Sequence, residues 1–377
     1  MGIPEIRLAS LAIPFRHAFA HTSAVRAQAA NVLVRLESAC GAVGLGEGCP
    51  RPYVTGETVA TALDFLGRRA AAILQQAVDI ESLRQWLHAN AVEVDLHPSA
   101  VCALEMAMLD LFARRAGVTV EDVLGSPKLT NPLSVTAVYG SASFFAFNLQ
   151  RWRFGWAGMG EAKVKLTGNP RRDGARARSL ARRGRVRLDA NNLWPDARAA
   201  IVGLGPTVPH AWAVEEPVAR RDWPGLVAVA QATGFAIVLD ESFATVADLA
   251  AAPEGARWVA NIRVSKLGGV LRTLDAIDVA RRKGFGVIVG AQVGETSLLA
   301  RAGLLAAAAA GETLGGFEGA YGTHLLRHDV VRPSVTFDGG GRVALGAGFS
   351  SGWGLEPEPR LSRAFACAAA HSPRPPR

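Results

Sequence analysis

The chain has 377 residues, of which 49% are hydrophobic and 20% charged, so its composition is that of a globular protein large enough for two packed domains. The formal net charge is +8, but the arginines are scattered, and the densest basic run, 171–187, lacks the interleaved aromatic residues of a nucleic-acid surface. We therefore predict no nucleic-acid partner. We also predict no membrane span, because no apolar run reaches about 18 residues.

The four cysteines have neither a paired nor a zinc-binding spacing, and the N-terminal residues do not resemble a secretory signal. These features predict a protein of the reducing cytoplasm.

Residues 1–127 are predicted to form an α+β domain in which strands precede helices. The predicted strands are 6–14, 30–37 and 43–47, and the predicted helices are 57–74, 80–89 and 99–116. Ser99 is the expected N-cap of the last helix, and Gly117 is its expected end.

From residue 128 to 325 the pattern changes to short apolar strands that alternate with helical segments. Such alternation predicts a TIM-type (β/α) barrel with parallel strands. The predicted strands are 134–139, 162–166, 186–189, 211–215, 236–240, 261–264, 286–289 and 316–318.

Ionisable residues recur at or just after the ends of the predicted barrel strands. The active site of a (β/α) barrel lies at this rim, so we predict that these side chains share one site. They are Lys163, Lys165, Asp189, Glu215, Asp240, Lys266 and Glu295, and from Lys165 onward they lie 24 to 29 residues apart.

Lysine is rare in this chain, with five lysines among the 41 basic residues, and three of the five lie on the predicted rim. A lysine can lose its proton in a protein, whereas an arginine cannot. Lys163 and Lys165 are two residues apart on a strand and should face the same way. Each ammonium is expected to lower the pKa of the other, which would suit Lys165 to act as a base while Lys163 holds a substrate carboxylate.

Asp189, Glu215 and Asp240 follow three adjacent strands, and three carboxylates without histidine or cysteine are typical of a Mg²⁺ site, with Mn²⁺ as a feasible substitute. Glu216 and Glu241 adjoin two of these residues, and only one carboxylate of each pair can face the metal. We predict Glu215 and Asp240 as ligands, with Glu241 as a neighbour that hydrogen-bonds Lys266.

This set of residues suits the removal of a proton from the carbon beside a carboxylate. The product is a dianionic enolate, which a divalent cation and an ammonium can stabilise. Lys165 would remove the proton, and Lys266 would return one or stabilise the intermediate from the other side.

The motifs resemble those of the muconate-lactonizing-enzyme subgroup of the enolase superfamily. They are Lys163-Val164-Lys165, Leu188-Asp189-Ala190-Asn191, Val214-Glu215-Glu216-Pro217, Leu239-Asp240-Glu241-Ser242 and Ser265-Lys266-Leu267-Gly268-Gly269. The resemblance implies a (β/α)₇β barrel under a capping domain made from the N-terminus and from residues 326–377, which would end in a loose tail. It also implies Mg²⁺ on the three carboxylates, support from Asn191, and acid/base roles for Lys165 and Lys266.

In this family, loops of the capping domain enclose the substrate. Here they correspond to 16–26 and 51–58, and the candidate substrate contacts are His21, Thr22, Arg51 and Tyr53. The seventh-strand motif keeps its acid at Glu295. At the eighth strand, Glu318-Gly319-Ala320 stands where dipeptide epimerases carry an Asp-x-Asp pair for the substrate ammonium, which counts against a typical dipeptide epimerase.

The predicted function is therefore a muconate cycloisomerase-like isomerase or lyase acting on a small carboxylate. Racemization or epimerization of an N-acylamino acid or another amino-acid derivative, and dehydration like that of o-succinylbenzoate synthase, are alternatives. A barrel that binds metal and carboxylate without turnover is a further alternative, disfavoured by the titratable lysines. The family resemblance implies a homo-oligomer, either a dimer or an octamer.

Overall fold

A computed structural model describes residues 3–21, 24–140, 144–156, 158–159, 161–346 and 351–359, together with residues 361 and 365. The predicted loose tail, residues 370–377, and the capping-loop candidate Thr22 lie outside this range.

The N-terminal strands form an antiparallel sheet of three strands in the order β1-β4-β5, with β2 and β3 as a separate pair. The single strand predicted at 6–14 is thus two strands. The bounds are β1 Glu5–Leu11, β2 Pro14–His21, β3 Ala24–Gln28, β4 Asn31–Glu37 and β5 Val43–Gly48.

Five helices follow, and the fourth packs across the sheet. Their bounds are α1 Val59–Gln76, α2 Ile80–Ala89, α3 Ala91–Leu96, α4 Pro98–Ala116 and α5 Val120–Leu124. Capping boxes at Thr58 and Asp79 begin α1 and α2, and Gly117, with a φ of 70°, ends α4.

The close contact between β5 and α4 explains the alternating glycines of β5. A Cβ atom at Gly44, Gly46 or Gly48 would lie 1.9 to 2.1 Å from a carbonyl oxygen of α4. Any side chain at these positions would separate the helix from the sheet.

The second part of the chain contains eight parallel strands whose order in the sheet follows the sequence, from β7 to β14. A hydrogen bond from Thr136 N to Phe317 O, 2.7 Å long, joins the two edges and confirms the predicted barrel. The bounds are β6 Leu133–Ser134, β7 Ala137–Tyr139, β8 Ala162–Lys165, β9 Val186–Asp189, β10 Ala213–Glu215, β11 Ala236–Leu239, β12 Trp258–Ile262, β13 Gly286–Val289 and β14 Leu314–Phe317.

Helices connect the barrel strands. Their bounds are α6 Phe144–Trp156, α7 Pro170–Ala181, α8 Ala197–Leu204, α9 Trp223–Thr233, α10 Val246–Ala251, α11 Val264–Leu267, α12 Val270–Arg282, α13 Ser297–Ala310 and α14 Gly322–Leu325, with 3-10 turns at Gly205–His210 and Gly311–Thr313. Within the described ranges, no helix is both long and apolar enough to cross a bilayer.

The last described segments contact both halves of the chain. Their strands are β15 Val331–Arg332, β16 Arg342–Val343 and β17 Glu356–Pro357, and β16 pairs with β6. The buried Trp353 reaches α4, because its backbone N donates to Asp110 Oδ1 at 2.8 Å and its indole Nε1 donates to Met106 O at 3.1 Å. This segment therefore ties the barrel to the N-terminal helices.

Two buried carboxylates of the N-terminal half fix barrel helices at their first turns. Glu105 on α4 accepts hydrogen bonds from Val270 N and Leu271 N, and Glu47 on β5 accepts from Thr296 N and Leu299 N. These amides lie at the N-termini of α12 and α13, where a negative group is favourable. A Cβ atom at Gly269 would lie 2.6 Å from the Glu105 carboxylate, so this cap requires glycine there.

Candidate active site at the barrel mouth

Four of the predicted site residues occupy equivalent places on consecutive strands. Lys165, Asp189 and Glu215 are the last residues of β8, β9 and β10, and Asp240 is the first residue after β11. Lys165, Asp189 and Asp240 line a cavity of about 620 Å³ at this end of the barrel, while Glu215 is fully buried beneath it. The structure thus brings these four side chains together.

Lys163 lies within a group of carboxylates. Its Nζ is 2.8 Å from Glu215 Oε1, 3.3 Å from Asp189 Oδ2 and 3.5 Å from Glu318 Oε1. Burial lowers the pKa of Lys163, but attraction from these carboxylates outweighs that effect and holds the pKa above its ordinary value. The expected lowering by mutual repulsion with Lys165 therefore does not describe Lys163, which stays charged.

Lys165 is oriented by a chain of hydrogen bonds. Its Nζ donates to Asn191 Oδ1 at 2.8 Å, and Asn191 Nδ2 donates to Glu241 Oε1 at 3.3 Å. The ammonium also lies 3.5 Å from Asp189 Oδ2. Asn191 adopts a φ of 45°, a left-handed conformation that asparagine tolerates better than most residues.

The structure corrects the predicted partner of Glu241 and supports the distinction between Glu215 and Glu216. Glu241 is bonded to Asn191, not to Lys266, whose three acceptors belong to Asp240 and Asn261. Glu216 points away from the cavity and accepts hydrogen bonds from Asp240 N and from Ser242 N and Oγ. Glu216 thus fixes the loop after β11 instead of facing the mouth.

The predicted position of the sixth strand was wrong by about three residues. The correction changes which basic residue comes directly after this strand. The strand ends at Ile262, so Arg263 is the first residue beyond it, whereas Lys266 lies in the short helix α11. The Arg263 guanidinium contacts Asp240 Oδ2 and lines the cavity. Arg263, not Lys266, is the equivalent on β12 of the residues at the other strand ends.

Lys266 is more enclosed than Arg263. Its Nζ donates to Asp240 O, Asp240 Oδ1 and Asn261 O, each at 3.1 Å, and lies 4.9 Å from the centre of the Phe243 ring. Burial lowers the pKa of Lys266, with Asp240 opposing and Arg263 assisting the shift. The ammonium thus has protein acceptors for all three of its hydrogens.

The donor chemistry of Asp189, Glu215 and Asp240 suits a hard divalent cation, and Asp189 Oδ1 is buried without a hydrogen-bond partner among the described residues. As the side chains stand, no three acidic, histidine or cysteine groups in the described part of the chain converge into a ready metal site. Lys163 and Arg263 instead hold the carboxylates. The residues fit Mg²⁺ by type, and Asp240 would exchange its contact with Arg263 to serve as a ligand.

Glu295 lies on a different part of the cavity wall, six residues beyond the end of β13. Its Oε1 accepts from Gln292 N at 2.7 Å, and its own N donates to Gln292 O at 3.1 Å. Burial raises the pKa of Glu295 to about 8 despite the Gln292 hydrogen bond. The carboxyl group is therefore mostly protonated at neutral pH.

The candidate substrate contacts from the capping loops lie in different environments. Tyr53 lines the cavity. Arg51 does not: its guanidinium is fully buried and donates to Ala30 O, Pro50 O, Asn31 Oδ1 and Val293 O. Arg51 thus joins the capping domain to the loop after β13 rather than reaching the cavity. At His21 only the backbone is described, as part of β2.

Sequence reasoning missed several residues at the site. Arg187 is fully buried, and its Nη1 lies 2.6 Å from Glu318 Oε1 and 3.0 Å from Glu215 Oε2. Glu318 is the first residue after β14 and so occupies the equivalent rim position on the eighth strand. Arg263 and Glu318 could have been predicted from their position directly after a barrel strand, had the ends of those strands been known.

A parallel barrel with acidic and basic side chains gathered at its C-terminal rim, covered by an α+β domain, defines an enzyme of the enolase type. Comparisons with known proteins agree. Residues 6–125 match the model of the mandelate racemase/muconate lactonizing enzyme N-terminal domain, and residues 151–361 match the enolase C-terminal domain-like model. The chain belongs to the mandelate racemase/muconate lactonizing enzyme family of the enolase superfamily, and it is an enzyme of the isomerase or lyase type.

Individual relatives include two of the three reaction types that the sequence left open. The chain is 32% identical to an aromatic dipeptide epimerase of Herpetosiphon aurantiacus over 306 residues, which is 77% of this chain and 82% of the relative. It is 28% identical to a chloromuconate cycloisomerase of Cupriavidus pinatubonensis over 319 residues, 78% of this chain and 82% of the relative.

Among solved structures, the dipeptide epimerase of Cytophaga hutchinsonii, complexed with Mg and the dipeptide D-Ala-L-Val, superposes with a TM-score of 0.82 at 24% identity. The match covers 96% of this chain and 98% of that one. At this identity the likeness confirms the fold.

Proposed function

We propose that the protein removes the hydrogen beside the carboxylate of an amino-acid derivative, with Lys165 as the base, and that the net reaction is racemization or epimerization. The orientation of Lys165 carries this proposal: at the cavity wall its ammonium donates to Asn191, which is bonded in turn to Glu241, and it lies 3.5 Å from Asp189 Oδ2. The greater similarity to an epimerase than to a cycloisomerase favours this reaction over the muconate-type lactonization predicted first.

We further propose that Asp189, Glu215 and Asp240 hold Mg²⁺, which Mn²⁺ could replace. The bound cation would supply positive charge to the enolate oxygens. Lys163 stays protonated because its carboxylate neighbours favour the charged form, so it suits the binding of the substrate carboxylate. Glu295, protonated at neutral pH, would donate a hydrogen bond rather than accept a proton.

Inversion requires a second proton-transferring group, and Lys266 is our candidate because Arg263 stays protonated in a protein. Lys266 would have to release one of its three acceptors to reach a substrate. Arg263 would then contribute a fixed positive charge.

The position of Arg263 supports a second candidate function. If Arg263 is the group that faces Lys165, the site has a single base, because an arginine does not give up its proton. A single base suits a lyase reaction, in which proton removal is followed by departure of a leaving group, and it suits a cycloisomerase reaction, in which a ring bond opens or forms. The possible substrates then include muconate-type acids and compounds that lose water.

Proton NMR in D₂O tests the proposal. The purified protein would be incubated with Mg²⁺ and a pool of N-acyl amino acids, dipeptides, hydroxy acids, muconate and its lactone. We expect loss of the proton signal beside the carboxylate of an amino-acid derivative, and the exchange should stop when EDTA removes the metal. Exchange that persists after exhaustive chelation would refute the metal assignment, and exchange only in muconate or its lactone would favour the second candidate.

A further inference from the structure

Gln292 presents an unusual buried amide to the cavity. Gln292 is 3% exposed and lines the cavity. Neither its side-chain Nε2 nor its Oε1 has a hydrogen-bond partner among the described residues. Burial of an amide without partners is costly, because the amide loses its hydrogen bonds to water and gains none in return. A cost of this kind at a cavity wall points to a group that becomes paired when a ligand binds.

The surrounding contacts fix the backbone of Gln292. Glu295 bonds the residue in both directions, through Gln292 N and Gln292 O, and the guanidinium of Arg51 holds the next carbonyl, that of Val293, at 2.7 Å. The strand end before it is equally constrained, since Gly290 N donates to Ile262 O at 2.7 Å. The backbone of Gln292 is therefore held in place, while its side-chain amide has no partner in the part of the chain that the structure describes.

A carboxamide is neutral and offers one donor group and one acceptor group. It therefore complements either side of a substrate amide, the C=O or the N–H, and provides no charge to bind an ammonium. The eighth strand provides no substitute for that charge, because Glu318 is already 2.6 Å from Arg187 and 3.5 Å from Lys163. The cavity wall at Gln292 therefore suits a substrate whose amino nitrogen is acylated, and so uncharged.

We propose that Gln292 is a specificity residue that hydrogen-bonds the amide of an N-acylated amino acid. The inference rests on the proposed function, which supplies the amino-acid carboxylate, and it narrows the substrate to the N-acyl class. Gln292 sets preference among ligands and takes no part in proton transfer.

The test compares two ligands in two proteins. The first ligand is the N-acetyl amino acid that the wild-type enzyme exchanges fastest, and the second is its analogue in which CH₂–CH₂ replaces the amide. Calorimetric titration in Mg²⁺ should show that the wild type binds the amide more tightly, and that Gln292→Leu reduces this preference roughly tenfold, as expected for loss of one buried hydrogen bond. Gln231→Leu, on the exposed side of α9, is the matched control and should keep the preference.

Thermal unfolding distinguishes recognition from a structural role. The buried amide of Gln292 has no partner among the described residues, so its removal should leave the Tm of the ligand-free protein unchanged or higher in Gln292→Leu and in Gln292→Met. A lower Tm in both variants, or an amide preference that survives the change, would overturn the inference. Absence of exchange by the wild type with every ligand would instead defeat the proposed function, so the two failures are distinct.

Discussion

Two groups of buried carboxylates in this molecule are stabilised by different kinds of partner. At the joint between the capping domain and the barrel, Glu47 and Glu105 accept hydrogen bonds from backbone amides at helix N-termini. At the barrel mouth, Asp189 and Asp240 are held by lysine and arginine side chains, and Asp189 Oδ1 has no hydrogen-bond partner in the described part of the chain. Backbone amides are fixed by the helix to which they belong, whereas a lysine or arginine side chain can rotate away from a carboxylate and be replaced by a ligand.

This difference separates a region that fixes the structure from one that can rearrange around a ligand. The amides that Glu105 and Glu47 bind begin α12 and α13, the helices that follow Arg263 and Gln292 along the chain. The rigid joint therefore positions part of the wall of the adaptable mouth. Four substitutions test this division, from the largest expected effect to the smallest.

Lys165→Met should abolish the exchange of the substrate α-hydrogen, with a loss of about 10²–10⁴-fold, because the variant lacks the proposed base. Proton NMR in D₂O measures the rate. The control is Lys128→Met, which removes an exposed lysine paired with Asp122 and should retain full exchange. Full activity in Lys165→Met would exclude this lysine as the base.

Lys266→Met should separate exchange from inversion. If Lys266 is the second proton-transferring group, the variant should lose inversion at least about a hundredfold yet still exchange the hydrogen of the enantiomer that faces Lys165. Polarimetry and NMR on each enantiomer measure the two rates. Unimpaired inversion would assign Lys266 a structural role, and a wild type that exchanges one enantiomer without inverting it would favour the lyase candidate.

Glu105→Gln should change how the stability of the protein depends on pH. Burial raises the pKa of Glu105 to about 7 from 4.5, so the folded state binds more protons than the unfolded state between these values, and the stability of the wild type falls as pH rises through that window. The variant lacks this contribution. Its free energy of unfolding relative to wild type should rise by about 3 kcal/mol between pH 4.5 and 8.

Urea unfolding at several pH values provides the measurement for Glu105→Gln. A difference between variant and wild type that is constant across the window would show that Glu105 does not titrate in it. The substitution removes no group from the cavity wall, because Glu105 lies on α4 and does not line the cavity.

Arg263→Met should affect the mouth alone. Removal of the guanidinium frees Asp240 Oδ2 and leaves more negative charge among the carboxylates, so Mg²⁺ affinity should rise by about tenfold, or about 1.4 kcal/mol. Titration calorimetry measures this directly, independently of turnover. Weaker Mg²⁺ binding would mean that Arg263 organises the carboxylates instead of competing with the cation.

Much of the barrel was predictable because its strands are short, buried and regularly spaced. The strand at 186–189 and the strand at 286–289 were predicted with their observed bounds. The rim residues Lys165, Asp189, Glu215 and Asp240 were likewise predicted at or next to the ends of their own strands, where the structure has them. The sixth strand was displaced because a short apolar run has no internal period that fixes its ends. The observed strand starts at Trp258, which makes two contacts: its ring packs edge-to-face on Trp223, and its indole Nε1 donates a hydrogen bond to Pro253 O.

The sequence by itself determined the order of strands and helices, the family, and the kind of chemistry that the rim residues can perform, because residue type and spacing repeat with every strand of the barrel. Only the tertiary structure decided which neighbour each polar side chain has: that Arg263 contacts Asp240, that Arg51 is buried in the joint, and that the side-chain amide of Gln292 has no partner among the described residues. These contacts join residues far apart in the chain, so their geometry depends on how strands and helices pack and not on local sequence.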